Sequence, residues 1–214
     1  MEELMTKTLG RSAVRTRKRP ADKFEDRREQ LAAAALATLA EQGYARTSLR
    51  DIADKSQFTH GVLHYYFQDK TELITYCVQH YKTRCIARYD SVVGAATSAD
   101  EVRQRFCDAM VVSLVDDAPV QRLWYDLRSQ SMFDVELAQK VAELDRNLEA
   151  MIFRVVEHFA ELDGRKVTMA SAMIYALFDG IFQHAVLNER SAPTDGSELR
   201  TAIVELLECV AVAR

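Results

Sequence analysis

Residues 28–73 read REQLAAAALATLAEQGYARTSLRDIADKSQFTHGVLHYYFQDKTEL, and this stretch decides the fold. Its first part is rich in alanine and repeats apolar residues at spacings of three and four between Leu31 and Ala40. That period predicts a helix over residues 26–42. Gly43 ends the helix, because glycine tolerates the left-handed conformation that follows many helix C-termini.

Two short helices are predicted next. Ser48, with Asp51 three residues later, has the spacing of a capping box and opens a helix that runs through Lys55. After the connection 56–59, Thr59 is a candidate N-cap for the second short helix. Two short helices joined by a tight turn and braced by a longer one form a helix-turn-helix, whose second helix enters the major groove of DNA.

The residues of this second helix have the chemistry that DNA contact requires. His60 can donate or accept a hydrogen bond, and Gly61 allows close approach of the backbone. A long helix begins after Asp69, and its positive N-terminus together with Lys70 attracts phosphate. His64, Tyr65 and Tyr66 carry polar groups at the ends of their side chains that can reach phosphates.

The motifs of this stretch also occur together in a known family. They are the Ala-rich helix, Gly43-Tyr44, Thr47-Ser48, Asp51-Ile52-Ala53 and Thr59-x-Gly61-Val62-Leu63-x-Tyr65-Tyr66-Phe67-x-x-Lys70. In this combination the stretch resembles the DNA-binding domain of TetR-family transcriptional regulators. The resemblance implies an all-α fold, with an N-terminal helix-turn-helix three-helix domain and a C-terminal helical ligand-binding and dimerisation bundle. It implies base contacts by Thr59, His60, Gly61 and Val62, and phosphate contacts by Thr47, Ser48, His64, Tyr65, Tyr66 and Lys70.

Two positions depart from the family pattern. The family usually has glycine in the turn where this sequence has Gln57. A non-glycine residue costs about 1 kcal/mol if that turn keeps the left-handed conformation. The family also usually has tyrosine where His64 stands. The turn and the His64 contact are therefore the places where this chain can differ from its family.

Charge is distributed unevenly along the chain. Residues 1–70 carry a net charge of +3, whereas residues 71–214 carry −7. Six basic and no acidic residues occur from Lys7 to Arg19. This composition predicts a disordered basic arm, which is either a solvated tail or a segment that follows the DNA backbone. The predicted organisation is an arm over 1–22, a helix-turn-helix domain over 23–70 and an effector-binding and dimerisation domain over 71–214.

The composition excludes several classes of protein. Seven glycines and three prolines among 214 residues favour long helices over a β-sandwich or barrel. The longest uncharged apolar stretches, 31–40 and 167–178, are shorter than the ~18 residues that cross a bilayer. The N-terminus does not resemble a signal peptide, so a cytoplasmic protein with no membrane partner is expected. No cysteine pair has CxxC spacing, and we expect reduced packing thiols, no metal and no cofactor.

Beyond residue 94 the chain reads as helices with short connections. Breaks are marked by Gly94, Pro119, Asp163-Gly164 and Pro193-Thr194-Asp195-Gly196. Helices are predicted over 100–115, 119–131, 134–160, 167–189 and 196–212. This region varies within the family, so the resemblance leaves the effector open.

The last two helices are the predicted dimer surface. A seam of small residues on the first lets a second helix approach closely, and the second carries an apolar stripe. Two such helices from each subunit would form a four-helix bundle, whereas the alternative is packing within one subunit. The resemblance implies the homodimer. The seam consists of Ala172, Ala176 and Gly180, and the stripe of Leu199, Ile203, Leu206 and Val210.

Aromatic and sulfur-containing residues of the middle helices are candidates for an effector pocket, although such a pattern is more common in a plain core. Arg128 shares a helix face with Trp124 and Tyr125, and Asp179 interrupts an apolar run. Because buried charges are costly unless paired, Arg128 and Asp179 form a salt bridge, anchor a polar effector, or reach solvent. The other candidates are Phe106, Met110, Met132, Phe133, Met151, Tyr175, Phe178 and Phe182.

Two other classes of function fit the sequence less well. An enzyme is disfavoured because the chain has no GxGxxG, Walker loop, nucleophile elbow or Glu-x-x-His spacing. His60 and His64 have the spacing to share a metal, but no third ligand accompanies them. A helical interaction module without DNA binding is disfavoured by Gly61, Lys70 and the basic arm. The sequence therefore predicts a DNA-binding regulator, namely a repressor released from a palindromic operator by a small-molecule effector.

Overall fold

The computed structural model of the chain describes residues 20–43, 46–191 and 194–213. These residues form nine α-helices and two short β-strands. The elements are α1 (Pro20–Gln42), α2 (Leu49–Lys55), α3 (His60–Tyr66), α4 (Lys70–Gly94), α5 (Ala99–Val115), α6 (Ala118–Ser131), α7 (Val135–Leu162), β1 (Arg165–Val167), α8 (Ser171–Glu189), α9 (Ser197–Val210) and β2 (Ala211–Ala213). The all-α fold class is therefore confirmed. None of the described helices combines the length and hydropathy needed to cross a membrane.

The predicted basic arm lies mostly outside the described residues, since the description starts at residue 20. Helix α1 begins at Pro20, so the arm cannot extend to residue 22 as the charge pattern suggested. Proline is suited to the first helical position, because its missing N–H would have no partner there and its φ is already helical.

Side-chain caps begin the helices of the N-terminal half where the sequence predicts them. The Ser48 hydroxyl accepts from the Asp51 N–H at 3.2 Å, and the Asp51 carboxylate accepts from the Ser48 N–H at 2.8 Å. Thr59 accepts from the Val62 N–H at 3.3 Å to begin α3. Each cap satisfies an N–H that has no partner within the helix, so the short α2 and α3 begin at fixed residues.

The turn between α2 and α3 does not need a glycine. Among the described residues, only glycines have a positive φ, so Gln57 is not left-handed. The chain leaves α2 through an extended Ser56, whose hydroxyl accepts from the Phe58 N–H at 3.2 Å. The energetic cost that a retained left-handed turn would impose on Gln57 does not arise here.

Helix α4 belongs to both halves of the protein. Its first turns pack on α1, where the Arg28 guanidinium donates to the Glu72 carboxylate at 2.6 Å and lies over the Phe67 and Tyr76 rings. Its later turns pack on α5 and α7. The expected boundary between residues 70 and 71 falls in the first turn of this helix, so a continuous helix connects the two halves.

The C-terminal half is a bundle in which α7 contacts α4, α5, α6 and α8. Its outer edge contains two strands that the sequence did not predict. Arg165 pairs with Ala213 and Val167 with Ala211 in an antiparallel ladder that follows a left-handed turn at Gly164. The predicted helices 167–189 and 196–212 were therefore wrong at these ends, because residue 167 and residues 211–212 form strands.

Candidate DNA-binding surface and effector cavity

The N-terminal turn of α3 is presented to solvent. Thr59, His60 and Gly61 are exposed, whereas Leu63 is fully buried and anchors the helix to the core. A Cβ placed on Gly61 would meet no atom within 4 Å, so this surface is open to a close neighbour. Val62 is half-buried and packs partly against the core. The first turn of α3 can therefore approach base edges while its opposite side holds the helix in place.

Aromatic rings extend this surface along α3. The His60 and His64 rings lie one helical turn apart, with centroids separated by 4.4 Å in an edge-to-face arrangement. Tyr65 is largely exposed, while the Tyr66 ring packs 4.7 Å from that of Phe24 on α1. Exposed imidazole and phenol groups can donate to phosphate oxygens.

Thr47, predicted to contact phosphate, is buried. Its hydroxyl donates to the Gly43 carbonyl at 2.8 Å and so holds the turn between α1 and α2. Ser48 is exposed, but its hydroxyl serves the Asp51 cap. The Thr47 hydroxyl is therefore not available for the predicted phosphate contact, because it is buried and already donates to the Gly43 carbonyl.

Sequence reasoning missed Arg50. This arginine is exposed on the first turn of α2 and lines a groove between α2 and α3 with Thr59 and His60. A guanidinium at this place suits phosphate binding. Its position in the sequence could have indicated a phosphate contact, because Arg50 lies two residues after the Ser48 N-cap. It is therefore in the first turn of α2, whose N–H groups also favour anions. Lys70, at the start of α4, is half-buried.

A cavity of about 60 Å³ lies among α4, α5, α6, α7 and α8. Seven of the predicted pocket residues line it, namely Met110, Tyr125, Met151, Tyr175, Phe178, Asp179 and Phe182. Phe106 and Trp124 are buried without lining it, and the Phe106 ring contacts that of Phe178 at 5.7 Å. The pocket that the sequence predicts in the middle helices thus coincides in part with a partly open cavity whose lining is both polar and apolar.

Met132 and Phe133 do not belong to the cavity. They are 73% and 87% exposed, because α6 ends at Ser131 and the following turn carries both side chains away from the bundle. Their assignment to a pocket was wrong because both residues lie in the short turn between α6 and α7, where no helix face directs a side chain into the bundle.

Arg128 forms the salt bridge that was one of its three interpretations. Its Nη1 donates to Asp179 Oδ2 at 2.6 Å, and its Nε lies 3.5 Å from Asp145 Oδ2. Tyr125 donates to Asp179 Oδ1 at 3.1 Å, and Tyr175 donates to Asp145 Oδ1 at 2.6 Å. Burial, followed by the nearby carboxylates, raises the pKa of both tyrosines. Arg128 itself lies behind Asp179 rather than on the cavity wall.

Lys82 is the cavity residue that sequence reasoning missed. It is only 6% exposed, and its Nζ donates to Gln121 Oε1 at 2.6 Å and lies 5.2 Å from the Trp124 ring centroid. Burial lowers the pKa of Lys82 to about 8. The available signal was the helical spacing of Val78, Lys82 and Cys85, which places a lysine within an apolar stripe.

The predicted dimer surface is only half exposed. The seam of Ala172, Ala176 and Gly180 faces outward on α8, flanked by the exposed Met173 and Leu177. The α9 stripe faces the other way: Leu199, Ile203 and Val210 are buried within the subunit, and Leu206 is half-buried. The prediction for those three buried residues was wrong, because α5 and α8 of the same chain already cover that face.

Family models match both halves of the chain. The model described as bacterial regulatory proteins of the tetR family matches residues 31–77. The model described as the C-terminal domain of BetI-type transcriptional repressors matches residues 98–208, which is more than half of the chain. The HTH-type transcriptional regulators BetI of Burkholderia mallei (strain NCTC 10229) and Burkholderia thailandensis are each 29% identical over 167 residues, covering 76% of this chain and 83% of the relative.

Solved structures of similar fold cover most of the chain. A TetR transcription regulator from Haloarcula marismortui aligns with a TM-score of 0.72 at 17% identity, covering 87% of this chain and 99% of that one. The regulator FadR from Bacillus subtilis, in complex with stearoyl-CoA, aligns with a TM-score of 0.70 at 18% identity, covering 84% and 96%. At these identities the likeness is one of fold.

Proposed function

The chain belongs to the TetR family of bacterial regulatory proteins, and we propose that it acts as a dimeric cytoplasmic repressor that a small molecule releases from a palindromic operator. It is a DNA-binding transcriptional regulator and not an enzyme. The observation that carries the proposal is the exposed first turn of α3, held on a buried Leu63.

In this proposal α3 reads base edges in the major groove through Thr59, His60, Gly61 and Val62. The groups around it position the chain on the duplex through phosphate contacts, which fix register without carrying sequence information. These groups are Ser48, Arg50, His64, Tyr65, Tyr66 and Lys70. The domain organisation follows: residues 23–70 contact DNA, and residues 71–214 bind the effector and the partner subunit.

The dimer is proposed to form through α8. Its outward seam of Ala172, Ala176 and Gly180 has exposed apolar neighbours, and a Cβ on Gly180 would meet nothing within 4 Å. Such a surface lets a partner helix approach closely. Two copies would place two α3 helices for successive major grooves, as a palindromic operator requires.

The effector is proposed to bind in the cavity and to act through α4 and α6. Helix α4 contributes Lys82 to the cavity and continues without a break into the DNA-binding half. Helix α6 contributes Gln121 and also packs on α1, where a Cβ on Gly43 would lie 3.1 Å from Asp126 Oδ2. A ligand that changes the relation of α4 and α6 therefore changes the placement of α3.

The test is selection of bound duplexes from a random-sequence library, followed by gel shift on the enriched site. The expected result is a palindromic consensus bound by two chains, with much weaker binding to a scrambled duplex of the same composition. Leu49→Ala, which removes a buried apolar contact of α2, should weaken binding to the enriched site because it loosens the helix that carries Arg50. A folded wild-type chain that enriches no sequence would refute the proposal.

A further inference from the structure

The polar groups of the cavity differ in how many partners the protein supplies. Asp179 accepts from both Arg128 and Tyr125, and Tyr175 donates to Asp145. The remaining polar lining, apart from one side chain, is paired as well. Ser113 accepts from Arg88 Nη2 at 2.8 Å, and Gln121 Nε2 donates to the Tyr81 hydroxyl at 3.0 Å.

Lys82 is the exception among the polar groups that line the cavity. Its ammonium has three N–H donors, and within the described part of the chain its one hydrogen bond goes to the Gln121 amide oxygen. No carboxylate of the described residues forms a salt bridge with it, whereas Arg128 has two. A buried ammonium that faces a cavity with unused N–H donors leaves a site for an anion.

We propose that the cavity binds a small organic carboxylate, whose charged group takes the unused N–H donors of Lys82 and whose compact apolar tail lies against the methionines and aromatic rings opposite. This inference rests on the proposed function, because it names the chemical class of the effector. It replaces Arg128 as the sequence-predicted anchor, since that guanidinium is already neutralised by Asp179 and Asp145.

The cavity lining suits the apolar tail of a small carboxylate as well as its charged group. The apolar part of the lining includes Met110, Met151, Phe178 and Phe182, which offer apolar contact on α5, α7 and α8. Unbranched methionine side chains adapt readily, so a cavity of about 60 Å³ can enlarge around a short chain or a single ring. The cavity is too small to enlarge in the same way around a long acyl chain.

A cationic effector fits less well. Among the described residues, the one carboxylate on the cavity wall is Asp179, and both of its oxygens already accept hydrogen bonds. A cation would have to displace the Arg128 guanidinium from Asp179 and would approach the Lys82 ammonium, so like charges would meet in a buried space. The anion instead supplies an acceptor for the Lys82 donors that have no partner among the described residues.

The proposed site also lies where binding can change the fold. The Lys82–Gln121 hydrogen bond joins α4 to α6 across the cavity. A carboxylate that binds the unused Nζ donors draws the ammonium toward the cavity, so it strains this connection. Because α6 also packs on α1, the change reaches the DNA-binding half.

The experiment measures binding to the full chain without DNA, by calorimetry and by thermal shift. The probes are straight-chain carboxylates from acetate to octanoate and benzoate, together with hexanamide and hexylamine as neutral and cationic isosteres of hexanoate. At least one carboxylate should bind and raise the Tm, while the amide and the amine of the same shape bind about tenfold more weakly or not at all. Preference for hexylamine, or no binding of any carboxylate, would overturn the proposal.

Two variants test the role of Lys82. Lys82→Met removes the charge, and Gln121→Glu supplies a built-in carboxylate of nearly the same shape, so both should lower carboxylate affinity about tenfold or more. Lys140→Met, which removes an exposed lysine on α7, is the control and should bind like wild type. Gln121→Glu keeps Lys82 and gives it a carboxylate partner, so it remains informative if Lys82→Met does not fold. Unchanged affinity in a folded Gln121→Glu chain would show that the anion does not use Lys82.

The same samples separate this inference from the proposed function. Gel shift of the wild-type chain without any carboxylate tests DNA binding alone. A chain that binds DNA but no carboxylate refutes the anion site and keeps the regulator. A chain that binds carboxylates through Lys82 but selects no DNA keeps the site and refutes the repressor.

Discussion

Replacing Arg128 with methionine tests whether the charged cluster behind the cavity is structural. Arg128→Met keeps an apolar stem but removes the guanidinium, which lies over the Trp124 and Tyr125 rings and pairs with Asp179. Breaking a fully buried ion pair costs ~3–5 kcal/mol. The side chains of Arg128 and Asp179 are 28% and 16% exposed, so solvent screens part of that cost. Tyr125 also still donates to Asp179. We therefore expect a loss of about 2–3 kcal/mol in the free energy of unfolding.

Chemical denaturation monitored by circular dichroism measures this loss. Arg154→Met is the matched control, because the Arg154–Asp90 pair is 50% and 41% exposed and an exposed pair contributes only ~0–1 kcal/mol. Adding Asp179→Asn to Arg128→Met removes the uncompensated charge and should restore part of the stability. If Arg128→Met costs no more than Arg154→Met, the structural assignment of Arg128 is wrong. Carboxylate binding in the Arg128→Met chain should persist, since Lys82 is unchanged.

Four further outcomes are expected. His60→Ala should weaken binding to the selected operator by ~1–3 kcal/mol and leave binding to scrambled DNA nearly unchanged, whereas Lys70→Ala weakens both; gel shifts on the two duplexes decide this. Deleting residues 1–19 should lower the slope of log affinity against log salt by ~0.9 for each phosphate the arm neutralises, and an unchanged slope would make the arm a solvated tail. Ala176→Glu should convert the dimer to a monomer in light scattering, while Ala138→Glu on α7 should not. Carboxylate affinity should fall above pH 8 by up to about tenfold per pH unit, because Lys82, with a pKa of about 8, loses its charge there. The charges that act on Lys82 include those of Arg128, Asp145 and Asp179, and the pKa of the neighbouring Cys85 thiol is raised by burial. Calorimetry at pH 7 and pH 9.5 measures the fall, and equal affinity at both would contradict it.

The helix-turn-helix could be read from the sequence because its signals are local. Ser48 and Asp51 cap α2 through contacts three residues apart, and Thr59 caps α3 in the same way. A pattern of that range does not depend on the rest of the fold. The same holds for the long helices, whose apolar period and bounding glycines and prolines lie within one segment.

The features that the sequence did not reveal depend on distant partners. The strand pair joins residues 165–167 to residues 211–213, so neither segment alone indicates it. The stripe of Leu199, Ile203 and Val210 has the same period whether it faces a second subunit or its own core. Only the position of α5 and α8 decides between the two, and in this chain they cover it.

Lys82 was missed for a different reason. A charge in an apolar stripe is unusual, but its partner Gln121 lies 39 residues away on another helix. The sequence pattern favoured Arg128 instead, because it shares a helix face with the aromatic residues Trp124 and Tyr125. In the structure Arg128 lies over the Trp124 ring and against two carboxylates. Lys82, which has unused N–H donors, lines the cavity instead.

The free energy of one contact between a carboxylate and Lys82 in each subunit is large enough to release the regulator from DNA. Moving a regulator from almost fully DNA-bound to almost fully released requires an effector to favour the released state by ~10⁴-fold. In the proposed dimer two cavities share this preference, so each contributes about 100-fold. A hydrogen bond to a charged group is worth ~1.5–3 kcal/mol, or roughly 10- to 150-fold. One carboxylate that binds the unused Lys82 donors more strongly in the released state therefore supplies enough free energy, and the cavity does not need a large ligand to act on α4 and α6.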